Sequence, residues 1–177
     1  MPVRGSLSDQ EESMEVNAKR EELQGLLVLM SSLSHTMEKS LGRGAGTITF
    51  RAGRTIGLKA DIAAKTPDTT QALKVVGEEL AKRGINWEFE LWKPAADSSY
   101  FYTVDEKEAA KLVFRNCMVR CSLFRYSHEQ KTSLCMMNHG LFCGFLQKIT
   151  GKRADLNIIH AGENACIKEL TLEPIGR

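Results

Sequence analysis

The chain has 177 residues, a net charge of +2 and an ordinary apolar content, as expected of one soluble globular domain. Its lysines and arginines are scattered, which argues against a nucleic-acid partner. No apolar run reaches the roughly 20 residues that cross a bilayer, and the polar N-terminus contains no secretory signal. We therefore expect a cytoplasmic protein, whose five cysteines are buried thiols, metal ligands or redox thiols rather than disulfides.

The N-terminal region is predicted to contain a tail and a long helix. Residues 1–13 have few large apolar side chains and are expected to be a disordered tail, with a single domain over residues 14–177. From Val16 onwards, apolar residues recur every three or four positions, which predicts an amphipathic helix of about six turns. Other apolar residues widen its face, so residues 16–40 are also the predicted contact of a homodimer. The periodic residues are Leu23, Leu26, Leu27, Met30, Leu33 and Met37.

The next segment mixes helix and strand signals. Residues 47–50 favour a strand by local propensity, while apolar and small residues between 48 and 59 also fit one face of a helix. We expect a helix, because Gly53 and Gly57 would let another backbone approach closely. Thr66 is the predicted N-cap of a following helix that ends at Gly84.

The second half predicts a mostly antiparallel sheet with one late helix. Apolar residues alternate with glutamates after Gly84, which is typical of a half-buried strand. Helices that precede such strands predict an α+β fold: N-terminal helices packed on the sheet, with the late helix inserted. The predicted strands are 87–91, 110–124, 154–160 and 165–172, and the late helix is 134–150.

The late helix and the last strands contain a candidate metal site. Cys135, His139 and Cys143 stand four residues apart, so their side chains share one helix face. Thiolate and imidazole groups are preferred zinc ligands, and His160 and Cys166 lie in strands expected beside this helix. One prediction is therefore a zinc site formed by Cys135, Cys166 and one or both histidines. The alternative is that these cysteines pack as small apolar side chains.

Cys117 and Cys121 form a second thiol pair, in the predicted central strand. Their positions are about 13 Å apart by strand rise, too far for a disulfide. Buried core thiols are the simpler interpretation. A redox-sensitive thiol with a pKa lowered by Arg115 or Arg120 is the alternative.

An apolar pocket is the other candidate site. Met136, Leu141, Phe142 and Phe145 lie on the late helix and, with Trp87, are predicted to line a ligand cavity, since methionine-rich walls suit adaptable apolar sites. Simple core packing is the alternative. No sequence pattern of a nucleophile, a metalloprotease or paired carboxylates occurs, so neither catalytic residues nor an enzymatic activity are predicted.

The glycine and cysteine spacing of the C-terminal third resembles that of a known family. Cys135-x4-Gly140-x3-Gly144-x6-Gly151, a strand, and then Gly162-x3-Cys166-Ile-Lys-Glu-Leu are similar to the 4-vinyl reductase domain. This family is also called hydrocarbon-binding, and its fold is shared with trafficking-complex subunits of the TRAPP type. The segment Phe50-Arg51-Ala52-Gly53-Arg54-x2-Gly57 is similar to the family's early Gly-Arg-x-x-Gly helix. The likeness covers most of residues 20–172.

The resemblance implies a small domain around an apolar cavity, often dimeric through its N-terminal helices, and here a stand-alone version. Sensor members of the family hold zinc with cysteines and an acidic residue. Mapped onto this chain, those ligands are Cys135 and Cys166, with Asp155 near the acidic position. The family's middle cysteine falls near Ile158, so His160 or His139 would have to replace it.

The leading hypothesis is a non-enzymatic domain that binds a small apolar ligand, with or without a structural zinc. A metal- or thiol-based redox sensor is the first alternative. An assembly protein of the trafficking-subunit type, with no ligand, is the second. A fold shared with a family does not by itself assign function, so the enzymatic name of the family carries little weight.

Overall fold

A computed structural model of the chain describes residues 7–85, 87–93, 95, 98–117, 119, 133–162 and 164–176, with the backbone alone for 7–13 and 16. These residues form four helices and a five-stranded antiparallel sheet, which confirms the predicted α+β fold. The helices are α1 (Leu7–Leu41), α2 (Gly44–Lys59), α3 (Thr69–Lys82) and α4 (Ser133–Thr150). The strands are β1 (Glu88–Trp92), β2 (Phe101–Val104), β3 (Lys107–Arg115), β4 (Lys152–Ala161) and β5 (Cys166–Pro174).

Helix α1 is joined to the rest of the domain through its C-terminal half. There Ser34 Oγ lies 2.5 Å from Ser133 Oγ, and Glu38 accepts a hydrogen bond from the Ser133 backbone N–H at 2.9 Å. The helix begins at Leu7, inside the segment predicted as a tail, and residues 1–6 lie outside the described residues. Much of its apolar face is uncovered: the exposed leucines include Leu23, Leu26, Leu29 and Leu33.

Helices α2 and α4 cross in direct backbone contact. A Cβ added to Gly53 would lie 2.0 Å from the Met137 carbonyl oxygen, and one added to Gly140 would lie 2.0 Å from that of Phe50. Only glycine fits at such a distance, so the close approach predicted at Gly53 and Gly57 is confirmed. Arg54 Nε donates to Gln147 Oε1 across the same contact at 3.0 Å.

The sheet has the order β1-β3-β5-β4, with β2 also paired to β3. One face packs against α3 and α4 and contributes Leu112, Phe114, Leu156, Leu170 and Leu172 to the core. The β2–β3 hairpin was absent from the predicted elements. Its turn places Asp105 and Glu106 at φ values of 47° and 64°, a conformation that acidic and amide residues tolerate and propensity alone does not reveal.

Two boundaries differ from the predictions. The N-cap of α3 is Asp68, which accepts from the Gln71 N–H at 2.9 Å, so the assignment to Thr66 was wrong. The backbone N–H of Thr66 instead donates to the Ile149 carbonyl at 3.1 Å, which holds this residue in the preceding loop.

The predicted strand 110–124 begins earlier and ends sooner than expected. Strand β3 stops at Arg115 because Asn116 adopts a left-handed φ of 51°, which cannot continue a strand. Val119 is helical, and residues 118 and 120–132, with Cys121 among them, lie outside the described residues. None of the helices in the described part of the chain has the length and apolarity that a membrane span requires.

Candidate functional site

A groove of about 990 Å³ lies between α1, α3 and the edge strand β1. This volume is at the upper end of the usual range for small-molecule sites, about 300–1,000 Å³. Most of the lining is apolar, with a few charged or amide groups among it. The lining residues are Leu23, Leu26, Leu27, Leu73, Lys74, Gly77, Ala81, Gly84, Ile85, Trp87, Glu88, Phe89, Glu90, Leu91 and Asn116.

The groove exists because α3 has one packed face and one open face. Leu73, Val76 and Leu80 bury the first face in the core, as the helical periodicity predicted. On the open face, a Cβ added to Gly77 would meet only the Phe89 ring, at an ordinary distance of 3.7 Å. The absent side chain at Gly77 therefore contributes part of the free volume.

Four aromatic rings connect the groove to the core. Trp87 and Phe89 line the groove and also contact Phe114, at ring centroid distances of 4.6 and 5.4 Å. Phe142 packs edge-on against both, at 5.9 and 5.1 Å. Such tilted and edge-on pairs are favourable beyond the area they bury. The groove thus has an aromatic wall on its β1 side.

Behind this wall lies a buried cation, Lys168. Its residue is 4% exposed, and its Nζ lies 4.2 Å from the Trp87 ring centroid and 4.1 Å from that of Phe114. Burial lowers the pKa of Lys168 to about 8, and nearby thiols, Cys117 foremost, oppose that shift. It makes no hydrogen bond or ion pair with another residue that the structure describes.

Two further polar groups at this wall have no hydrogen-bond partner among the described residues. They are Trp87 Nε1 and both ring nitrogens of His139, all buried. The His139 ring stacks on Trp87 at a centroid distance of 6.3 Å. Burial, and after it the charge of Lys168, lowers the pKa of His139 well below its usual range, with the Leu156 backbone acting in the opposite sense. His139 is therefore neutral near pH 7.

Four cysteine thiols raise the pKa of Lys168 electrostatically; three of them are half-buried and one is buried. Cys117 follows β3, Cys135 lies in the first turn of α4, and Cys166 begins β5, paired with Phe114 of β3. Cys143 is fully enclosed in the core, and burial raises the pKa of its thiol. Lys168 is thus a buried cation with several cysteine thiols in its electrostatic surroundings.

The residues predicted as zinc ligands lie on two faces of the sheet. Cys166 and Lys168 are two apart on β5, on its core-facing side. Asp155 is exposed between buried neighbours, on the other face. A register irregularity after Ile158 pairs His160 with Ile167, so His160 is also exposed on that outer face.

Within the described part of the chain, no three histidine, cysteine or acidic side chains converge as a metal site would require. Cys135, Cys166 and His139 all interact electrostatically with the ammonium group of Lys168. These residues do not by themselves fit a tetrahedral zinc site. Zinc binding stays a prediction.

Of the five predicted pocket residues, Trp87 lines the groove. Phe142 and Phe145 are completely buried in the core. Met136 and Leu141 are half-buried on α4, with Met136 facing Gly46 of α2 and Leu141 packed on the core. The groove therefore lies at α3 and β1, and its described lining includes none of the four predicted residues on α4.

Lys168 was not among the residues singled out from the sequence, although a signal for it exists. Leu170 and Leu172 alternate with Glu169, Thr171 and Glu173 on the last strand, and Lys168 falls on the apolar side of that alternation. A strand with period two places such a residue on the core face. A lysine in that register is a candidate for a functional group, since buried lysines are rare.

Comparison with known proteins shows similarity at the level of the fold. No protein-family model matches this chain, and no curated protein matches it. Among solved structures, it is similar to the crystal structure of the phenol-responsive sensory domain of the transcription activator PoxR with phenol. That match has a TM-score of 0.56 and 9% identity, and covers 82% of this chain and 74% of the other. At such low identity the likeness establishes a shared fold, and the family suggested by the glycine spacing stays a prediction.

Proposed function

We propose that this chain is a non-enzymatic, ligand-binding domain of the sensory type, which holds a small and mainly apolar molecule in the groove between α1, α3 and β1. The observation that carries the proposal is the groove itself. It combines a volume of about 990 Å³ with an apolar lining and an aromatic wall at Trp87 and Phe89. Concave sites of this size and lining are typical of small-molecule binding.

The walls of the groove favour an apolar occupant. Leu23 and Leu26 of α1 are more than half exposed although they line it. Removing such side chains from water is favourable in proportion to the apolar area covered. The N–H at Trp87 Nε1, which has no hydrogen-bond partner among the described residues, adds one donor for a polar atom of the ligand.

The rim groups support binding rather than turnover. Arg115 pairs with Glu90, and Asn116 Nδ2 donates to Glu88 Oε2 at 2.9 Å. None of the described residues that line the groove is a serine, cysteine or histidine. The shared fold with a phenol-responsive sensory domain is a further support, because that neighbour is solved with a small aromatic molecule. On this proposal the chain is a member of the hydrocarbon-binding family that its glycine spacing resembles.

Tryptophan fluorescence tests the proposal. The chain has two tryptophans, so a Trp92→Phe variant reports from Trp87 alone. Titration with phenol, naphthalene and octan-1-ol is expected to change this emission saturably for at least one compound. Native mass spectrometry of freshly purified protein would show any ligand already bound. Absence of both a saturable change and a co-purifying molecule would contradict the proposal.

A second role, self-association through α1, is favoured by its uncovered apolar face. Leu29 and Leu33 are 68% and 57% exposed and do not line the groove. We propose that a second copy of the chain covers them, through residues 16–40. A Leu29→Lys/Leu33→Lys double variant is expected to be monomeric in sedimentation velocity at concentrations where the wild type is dimeric. Glu21→Lys, exposed on the same helix, is the control for added charge, and a monomeric wild type would refute the role.

A further inference from the structure

Lys168 is a buried charge in an apolar part of the domain. On the core face of β5 it stands opposite Leu112 of β3 and Ile158 of β4, with Leu170 next on the same side of the strand. Its residue is 4% exposed. A buried ion without a partner is costly, and proteins normally pair it with an opposite charge.

The described residues supply no such opposite charge. Every ion pair among them involves other lysines and arginines, such as Lys152 with Glu108 on the same sheet. Lys168 instead contacts the faces of Trp87 and Phe114. Cation–π contacts return only part of the cost of burying an ammonium group, because ring faces cannot accept its three N–H donors as a carboxylate would.

The surrounding polar groups are suited to an anion. The N–H at Trp87 Nε1 is buried and has no hydrogen-bond partner among the described residues, while the His139 ring stacks on Trp87 and is approached by the Leu156 backbone. The Lys168 ammonium and the Trp87 N–H are therefore two donors that a carboxylate could accept from. The acidic groups nearest the groove, Glu88 and Glu90, are already engaged by Asn116 and Arg115 at its rim.

Trp87 connects this cation to the groove. It lines the groove and lies under Lys168 Nζ, while Lys168 itself is not part of the lining. The Trp87 ring lies between the two, so in the proposed complex this side chain must rotate for a ligand in the groove to contact the ammonium. The apolar body of the ligand would stay against Phe89 and the leucines of α1.

We propose that the ligand is an apolar monocarboxylic acid, whose carboxylate pairs with Lys168 behind the Trp87 ring while its hydrocarbon part fills the groove. This inference rests on the proposed function, since it assigns the ligand class of the same groove. A carboxylate accepts hydrogen bonds from several donors at once and forms stronger ones with an ammonium than a neutral hydroxyl does. Among the described residues Lys168 has no opposite charge, and the ligand carboxylate would supply one.

The test compares octanoate with octan-1-ol, which share the hydrocarbon chain and differ in the charged head. Isothermal titration of the full chain is expected to show octanoate binding at least about tenfold more tightly, as a charged hydrogen bond in a dry site implies. In Lys168→Met this preference should disappear while octan-1-ol binding is kept. Lys111→Met is the matched control, because Lys111 lies over Trp92 and Tyr102, away from the core.

The outcomes distinguish the inference about the carboxylate from the proposal of an apolar ligand site in the groove. Equal binding of acid and alcohol by the wild type, or an undiminished preference in Lys168→Met, would overturn the inference and leave the apolar ligand site standing. Failure of both compounds to bind would overturn the inference and count against the groove as a ligand site. Circular dichroism establishes whether Lys168→Met folds. If it does not, the comparison of octanoate with octan-1-ol binding by the wild type still tests the inference.

Discussion

The α2–α4 crossing and the α1–α3–β1 groove are two helix contacts built in opposite ways. At the crossing, Gly53 and Gly140 bring the two backbones together with no side chain between them. At the groove, leucines of α1 face α3 across open volume, and a missing side chain at Gly77 enlarges it. Glycine thus allows backbone contact at the α2–α4 crossing and leaves empty space at the groove.

The difference teaches where a ligand can be held. Backbone contact leaves no room, so α4 serves as a fixed support for the sheet and the aromatic wall. Space remains beside α1, whose described polar contacts with α4 are made by Ser34 and Glu38 in its C-terminal half. The groove therefore lies where helices are separated by side chains, and the α2–α4 crossing lies where backbones touch.

The largest effect on stability is expected from a substitution at the α2–α4 crossing. In Gly140→Ala the new Cβ would lie 2.0 Å from the Phe50 carbonyl oxygen, so the helices must separate. We expect a loss of about 3 kcal/mol in the free energy of unfolding, measured by urea denaturation.

The matched control for that variant is Gly25→Ala on α1, where nothing lies within 4 Å of the added atom. It should stabilise the helix by up to about 1 kcal/mol. If Gly140→Ala unfolds at the same urea concentration as the wild type, the crossing is not a backbone contact.

A smaller effect, on ligand affinity, is expected from filling the groove with a side chain at position 77. Gly77→Leu places a large side chain into the groove beside Phe89, and affinity for an apolar probe such as octan-1-ol should fall about tenfold. Gly77→Ala is the control, because its Cβ meets Phe89 at an ordinary 3.7 Å and leaves most of the volume. Both variants should be at least as stable as the wild type by thermal denaturation. Unchanged affinity in Gly77→Leu would place the ligand elsewhere.

The smallest effect concerns the anchor that α3 makes with the sheet, away from the groove. Glu108 accepts hydrogen bonds from Thr69 Oγ1 and Lys152 Nζ, both at 2.6 Å. Burial raises the pKa of Glu108, but these hydrogen bonds outweigh it and hold the pKa below its usual range. A lowered folded-state pKa means that this stabilisation is present above the unfolded-state value and is lost as the pH falls through the folded-state value.

Glu108→Gln should therefore lose less stability on acidification than the wild type, measured as urea midpoints between neutral pH and about pH 3. Groove affinity at neutral pH should not change, which separates the anchor from the site. Glu78→Gln, exposed on α3, is the control. Identical acid profiles for Glu108→Gln and the wild type would show that the anchor contributes nothing.

Local patterns were sufficient for most elements and insufficient for the site. Periodicity and capping signals predicted the helices, and the glycines of α2 and α4 predicted a close approach that the structure contains. The hairpin turn at Asp105 and the early end of β3 at Asn116 were missed, because left-handed residues other than glycine leave little trace in composition. Lys168 was missed because a lysine is expected at the surface.

The sequence by itself determined most of the helices and strands and the close approach of α2 and α4, since these follow from side-chain spacing and from the absence of a Cβ. Only the tertiary structure decided that Lys168 is buried against Trp87, that His160 lies on the outer face, and that the open volume is at α3 and β1. Those outcomes depend on strand register and on which faces remain unpacked. Both are set by contacts between residues far apart in the chain, which no local pattern records.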